Sequence, residues 1–211
     1  MDLVNKYSNK YFNSYYQEIF TYFLNEVDNE NILIININQF NPLLYFSHYF
    51  KRFNIHLYMV FHHHEASLNI NKQIKNEECK KYIHSSIYSL TEIIEYYINI
   101  KFSKIILFHI RSIEYLKKEL DLCYFFKCKV YIFISLSKKF NIQYKNLYRK
   151  LLKNIDSNDP GYVFDYNQIF ELLNSYQDYK IESINLIKNN HYAIYGNNQN
   201  YQIILNPKNK N

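Results

Sequence analysis

The stretch KIILFHIRSIEYLKKELDLCYFFKCKVYIFIS, residues 104–135, reads as strand, helix, strand. Its ends, 104–110 and 130–135, are apolar runs rich in β-branched and aromatic residues and too short for a typical helix, so both read as buried strands. Between them Leu116, Leu120 and Cys123 recur at helical spacing, and Ser112 precedes the run where an N-cap belongs. Two strands joined through a helix lie parallel in one sheet. Upstream the pattern repeats. Residues 32–35 (ILII) and 55–61 (IHLYMVF) read as strands, 43–53 and 89–100 as helices, and Ser89 with Glu92 three residues on makes a capping box. A helix over about 14–26 leads into the first strand. Downstream of Ser137 come a basic helix (143–154), a turn at SNDPG, a short helix (about 166–176), and two strands, 192–195 and 201–205. The last two flank 196–200 as a hairpin. The expected fold is a single α/β domain over residues 1–211: a Rossmann-like sandwich with a mainly parallel central sheet flanked by helices, and a C-terminal antiparallel hairpin. Residues 1–30 form its helical lead-in and 206–211 a frayed tail.

Composition limits the chemistry. The 211 residues, 48% of them hydrophobic, suffice for one core. They include 24 Tyr, 22 Lys against 3 Arg, and only 2 Gly. AT-rich codons give this skew, which points to an AT-rich virus, organelle or parasite as the source. Phosphate-cradling loops need glycine for positive φ and close backbone approach, so a P-loop and an intact GxGxxG turn are both excluded. Three cysteines (Cys79, Cys123, Cys128) without a CxxC suit a reducing intracellular setting. The uncharged stretch 31–50 carries Asn36, Asn38, Gln39, Asn41 and His48, too polar for a membrane span, and no signal-peptide layout opens the chain. A soluble protein without a membrane partner is expected.

Charge is uneven. The net charge is +6, yet 122–155 holds no acidic residue and eight basic ones: Lys127, Lys129, Lys138, Lys139, Lys145, Arg149, Lys150 and Lys153. Lys145, Arg149 and Lys153 are spaced by four, which gives one helical stripe, beside Phe140, Tyr144 and Tyr148. A cationic ridge with aromatic neighbours suits an RNA or single-stranded DNA backbone with occasional base stacking. The competing reading is a solvated lysine-rich face.

The segments ILIININQFNPLLYFSHYFKRFN (32–54), IHLYMVFHHHEASLN (55–69) and SKIILFHIRS (103–112) resemble, in order and spacing, the core of the poxvirus poly(A) polymerase regulatory subunit family. That family is a Rossmann-like cap-specific 2′-O-methyltransferase that also serves as processivity partner of the polymerase catalytic subunit. The resemblance spans about 17–139, and ISLSKKF (134–140) and HYAIYGNNQNYQI (191–203) look like its catalytic-lysine strand and closing hairpin. It implies an S-adenosylmethionine turn of the form GxAPG after the first strand. Here that turn reads Asn36-Ile37-Asn38-Gln39-Phe40-Asn41, with no glycine and a phenylalanine in the way. It also implies a Lys-Asp-Lys-Glu tetrad. The aspartate falls at Phe108-His109-Ile110 and the glutamate near Lys188, the first lysine has no counterpart, and only Lys138 or Lys139 stands as a remnant. Phe140 sits where the family places one ring of its cap-binding slot; a buried core aromatic is the competing reading.

The remaining polar clusters are modest. Adjacent His62, His63 and His64 at a strand end point to alternate faces, so they read as a polar loop lining the cleft and not as a metal site. His109 reads as a cleft or structural histidine, and Asp156, Asp159 and Asp165 as turn caps. The aromatics of 7–23 and 43–53 exceed the needs of one core face and suggest a partner subunit.

The expectation is therefore a methyltransferase-like, non-catalytic subunit of a viral poly(A) polymerase, in host cytoplasm or virion, bound to the catalytic subunit and to RNA. Its RNA contacts would be Lys138, Lys139, Phe140, Lys145, Arg149, Lys150 and Lys153. Its degenerate cofactor cleft would be Asn36, Asn38, Phe40, His62 and His109, holding neither cofactor nor metal. The alternatives are an active cap-specific methyltransferase using S-adenosylmethionine, and a structural or assembly protein with no nucleic-acid role.

Overall fold

The computed structural model describes residues 30–35, 54–61, 81–108, 110, 112–137, 163–187 and 198–208. In chain order these form β1 (Asn31–Ile35), β2 (His56–Val60), β3 (Ile83–Ser86), α1 (Leu90–Tyr97), β4 (Lys104–Leu107), α2 (Ile113–Phe126), β5 (Lys129–Ser137), β6 (Val163–Asp165), α3 (Tyr166–Ser175), β7 (Tyr179–Leu186) and β8 (Asn198–Pro207). The eight described strands make one sheet in the order β3-β2-β1-β4-β5-β8-β7, with β6 also paired to β5. Neighbours from β3 through β5 run parallel, as does β6. β8 lies antiparallel to both β5 and β7. This is the expected mixed α/β sandwich.

The parallel strands read as unbroken apolar runs because both of their faces are buried. Leu33, Ile35, Val60, Ile105, Leu107, Val130, Ile132 and Ile134 join one core with Ile93 of α1, Leu116, Leu120 and Cys123 of α2, and Ile169 and Leu173 of α3. The alternate residues Ile32, Ile34, Leu57, Met59, Ile106 and Phe133 point to the other face and are buried too. Each such side chain withdrawn from water contributes about 1.5–3 kcal/mol, which fixes strand register firmly.

The helix boundaries follow their caps. At α1 the Ser89 hydroxyl accepts from the Glu92 N–H (3.3 Å), and the Ser89 N–H donates to the Glu92 carboxylate (2.7 Å), completing the expected capping box. Ser112 caps α2 by accepting from the Tyr115 N–H (3.1 Å). That helix ends at Lys127 in the left-handed region (φ 51°, ψ 41°), where its N–H donates to the Tyr124 carbonyl. A cap of this kind usually takes glycine.

The C-terminal part departs from expectation. β8 lies between β5 and β7, YKIESINL; residues 192–195, expected as its hairpin partner, lie outside the described residues. β7 alternates buried or half-buried with exposed side chains, a period of two that marks a half-buried antiparallel strand. The expected turn at 196–200 is corrected as well, since β8 begins at Asn198. Residues 206 and 207 of the expected frayed tail belong to β8: Asn206 and Pro207 pair with Lys180 and Tyr179, and the Lys208 N–H donates to the Asp178 carbonyl (2.9 Å). β3 and β6, of four and three residues, are too short to show a pattern in sequence. The helices expected at 14–26, 43–53 and 143–154 lie outside the described residues. No described helix is long and apolar enough to cross a membrane.

Candidate ligand crevice at the strand reversal

In an open parallel sheet a ligand sits beyond the carboxyl ends of the strands, where the strand order reverses. Here the reversal falls between β1, whose next parallel strand in sequence lies on one side, and β4, which lies on the other. The carboxyl ends of β1 and β4 therefore flank the crevice, with those of β2 and β5 beside them.

The described part of that rim is bulky and apolar. Phe108, directly after β4, donates its N–H to the Ile35 carbonyl at the end of β1 (3.1 Å), so the β1–β4 pairing continues one residue past the strand. Its ring is 3% exposed and stacks on Phe133 (centroids 4.9 Å apart, planes 14°). Phe61, directly after β2, is fully buried, and its N–H donates to the Ser86 carbonyl (3.0 Å). Ile110 is buried as well. The polar groups lie to the sides. The Ser86 hydroxyl at the end of β3 is 3.0 Å from the Tyr97 hydroxyl, and burial pushes that phenol's pKa up, so it stays protonated at neutral pH. At the end of β5, Ser137 is opposite Asp165, whose carboxylate caps α3 by accepting from the Gln168 N–H (3.0 Å). Asp165 is thus a cap, as its position by the turn suggested.

The opposite edge of the sheet carries a polar tie. Lys104, 7% exposed in its side chain, pairs with Glu30 (3.3 Å), and the Ser103 hydroxyl donates to the same carboxylate (2.8 Å). This joins the starts of β1 and β4 below the crevice.

Of the basic run 122–155, the structure describes Lys127 and Lys129, which precede or open β5 at its amino edge; the nine residues of β5 carry the chain roughly 26 Å, at about 3.3 Å each, from there to its carboxyl edge. Lys129 also has a carboxylate that its own segment lacks: Glu182 of β7, at 2.8 Å. β7 was not recognised in the sequence, so this pairing had no signal there.

The remaining sequence candidates, Asn36, Asn38, Phe40, His62, His109, Lys138, Lys139, Phe140, Lys145, Arg149, Lys150 and Lys153, lie outside the described residues. Their flanks are placed. Ile35 ends β1, Phe61 follows β2 and Ser137 ends β5, each at the carboxyl end of its strand, and Phe108 and Ile110 are the described residues on either side of position 109. Among the described residues no group of three or more His, Cys, Asp or Glu is gathered as a metal would require. The two described cysteines, Cys123 and Cys128, are buried, which pushes the Cys128 thiol up to about 12 and Cys123 well above its ordinary value; both are protonated and unsuited to nucleophilic work.

Solved structures share this architecture. The chain is similar to a geranyl diphosphate C-methyltransferase from Streptomyces coelicolor A3(2), solved with geranyl diphosphate and S-adenosyl-L-homocysteine (TM-score 0.61, 7% identity, covering 90% of this chain and 78% of that one). It is similar to an rRNA methylase from Streptococcus thermophilus (TM-score 0.52, 8% identity, 92% and 97%) and to the cyclase SpnF (TM-score 0.57, 6% identity, 90% and 80%). No family model and no curated protein matches the sequence. The class is therefore a Rossmann-like fold of the methyltransferase type. The likeness supports that fold and does not reach the narrower polymerase-subunit family; a cyclase among the neighbours shows that one fold serves unlike reactions.

Proposed function

We propose that this chain is an RNA-binding subunit of methyltransferase fold that transfers no methyl group itself, acting in polyadenylation beside a viral poly(A) polymerase catalytic subunit inside the host cell or virion. The observation that carries the reading is the crevice rim. Phe108 stands at the reversal point and Phe61 follows the neighbouring strand β2, both bulky and buried, and the first 160 residues contain no glycine to bring backbone close to a cofactor. RNA is the ligand class favoured by Lys138, Lys139, Lys145, Arg149, Lys150 and Lys153, which follow β5 from that edge without an intervening acid. The named polymerase partner rests on the strand-level resemblance alone.

Two titrations test this. Calorimetry with S-adenosylmethionine should give no saturable heat. Oligo(A) should bind at low salt and lose roughly tenfold or more in affinity when Lys145, Arg149 and Lys153 are all changed to Gln, with a shallower salt dependence. Unchanged oligo(A) affinity in the triple variant removes the RNA reading. A second reading, an RNA 2′-O-methyltransferase, is favoured by the structural neighbours of methyltransferase type, and saturable S-adenosylmethionine binding would select it. If the chain co-purifies with neither a polymerase subunit nor RNA, an assembly role takes the place of both.

A further inference from the structure

The edge of the sheet away from β8 carries a pair of imidazoles that the crevice does not use. His56 opens β2 and His84 is the second residue of β3. In the parallel register Tyr58 lies opposite His84, so the two histidines sit on one face as diagonal neighbours. His56 Nδ1 and His84 Nε2 are 3.4 Å apart, with ring centroids at 5.7 Å and planes within 16°. The nitrogens thus face each other across a gap held by backbone pairing. Both rings are braced: Tyr58 stacks on His84 (4.4 Å, 15°), Tyr82 lies 5.3 Å from His56, and Tyr58 is wedged edge-on against Tyr97 and Phe102.

We propose that His56 and His84 form a two-histidine site for a late first-row divalent metal, with Zn2+ as the simplest occupant. A tetrahedral ion with Zn–N bonds of about 2.0–2.1 Å holds two ligand nitrogens roughly 3.3–3.4 Å apart, which is the span found here. Modest tilting of the rings turns both lone pairs toward one point beside the line that joins them. Metal binding needs neutral imidazoles, and the partial burial of His84 beside a second histidine favours that form. Without metal, the same gap holds one N–H···N hydrogen bond. On binding, the donor ring changes tautomer and its proton moves to its outer nitrogen, so the neutral pair releases no net proton. Water completes the coordination. Imidazole ligands suit zinc, copper and nickel and give no purchase to Mg2+ or Ca2+, so those ions should have no effect. Bound metal would clip the four-residue edge strand β3 to β2.

The test is thermal unfolding with Zn2+ at neutral pH. The unaltered chain should gain several degrees at Zn2+ well above the dissociation constant, and Mg2+ should give none. The gain should vanish in His84→Gln and in His56→Gln, whose folding is checked by circular dichroism, while His62, His63 and His64 remain present as a control for binding elsewhere. A gain that survives in both variants, or no gain in the unaltered chain, overturns the site. A second readout needs no variant: Zn2+ should protect His56 and His84 from diethyl pyrocarbonate, read by mass spectrometry, and unchanged labelling of both overturns it equally. None of these results depends on whether the chain binds RNA or S-adenosylmethionine.

Discussion

Lys127 shows at single-residue scale what a chain with two glycines has to accept. It ends α2 with φ 51°, a region where a Cβ meets the carbonyl of its own residue and glycine meets nothing. Replacement by glycine should therefore stabilise the protein, by about 0.5–1 kcal/mol, seen as a higher urea midpoint at unchanged slope. Asn54 also has positive φ (49°), but its short polar side chain tolerates that region, so Asn54→Gly should gain less. His84 gives a pH effect with a definite sign. Burial first, then the neighbouring His56, lowers its pKa below the ordinary histidine value. The unfolded chain thus binds a proton more readily than the folded one. This contribution to stability is complete above about pH 6.5 and is lost as pH falls from there through the lowered folded-state value. Urea midpoints at pH 7.5 and 5.5 should show that loss, and His84→Gln should reduce it.

At the scale of elements, α1 depends on its cap. With only eight residues it is too short to stand on propensity, and the reciprocal Ser89–Glu92 bonds satisfy two of its end donors. Ser89→Ala should cost about 1 kcal/mol in chemical denaturation, and Ser89→Asp should restore most of it. This cap was readable in advance because it is a local pattern, serine followed three residues later by glutamate. The same holds for Ser112 and α2, and for β1, β2, β4 and β5, whose burial on both faces writes itself into the chain as plain apolar runs. β7 was missed for the opposite reason. Tyr179 and Ile181 lie on its more buried face but Ile184 and Leu186 on its exposed one, with Ser183 and Asn185 half-buried, so the apolar residues change phase at the register shift between Ile181 and Ser183. β8 was found but given the wrong partner, since proximity in sequence favoured a short hairpin over the actual pairing with β7. Within the candidate site, the absence of glycine after β1 is a fact of composition, and residues 36–41 lie outside the described residues. The burial of Phe61 and Phe108 was not legible, because a phenylalanine after a strand looks the same whether it packs inside or faces solvent. The Lys129–Glu182 pair joins residues far apart in sequence, and a segment-by-segment charge count cannot register it.

Across the whole molecule, the sheet is held at one end by parallel strands backed by α1 and α2, and at the other β8 lies between β5 and β7. Ile203 and Leu205 of β8 are buried in the same core as Val130 and Ile132. Ile203→Ala should cost about 2–5 kcal/mol, read as a lower unfolding midpoint, as expected for a fully buried aliphatic residue in a core that relaxes only in part.

The position of β8 has a consequence for how the chain reaches its native state. β7 is made before β8 yet, among the described strands, pairs its backbone with β8 alone, so during synthesis β7 emerges with no strand to pair with. Its alternation leaves Ile184 and Leu186 exposed even after folding, and before β8 arrives both of its edges are open. The nascent protein thus passes through an interval with an unpaired, partly apolar strand, the kind of species on which chaperones act and from which aggregates grow. A chain truncated before residue 198 should accordingly aggregate more readily than the full chain, as sedimentation after refolding would show.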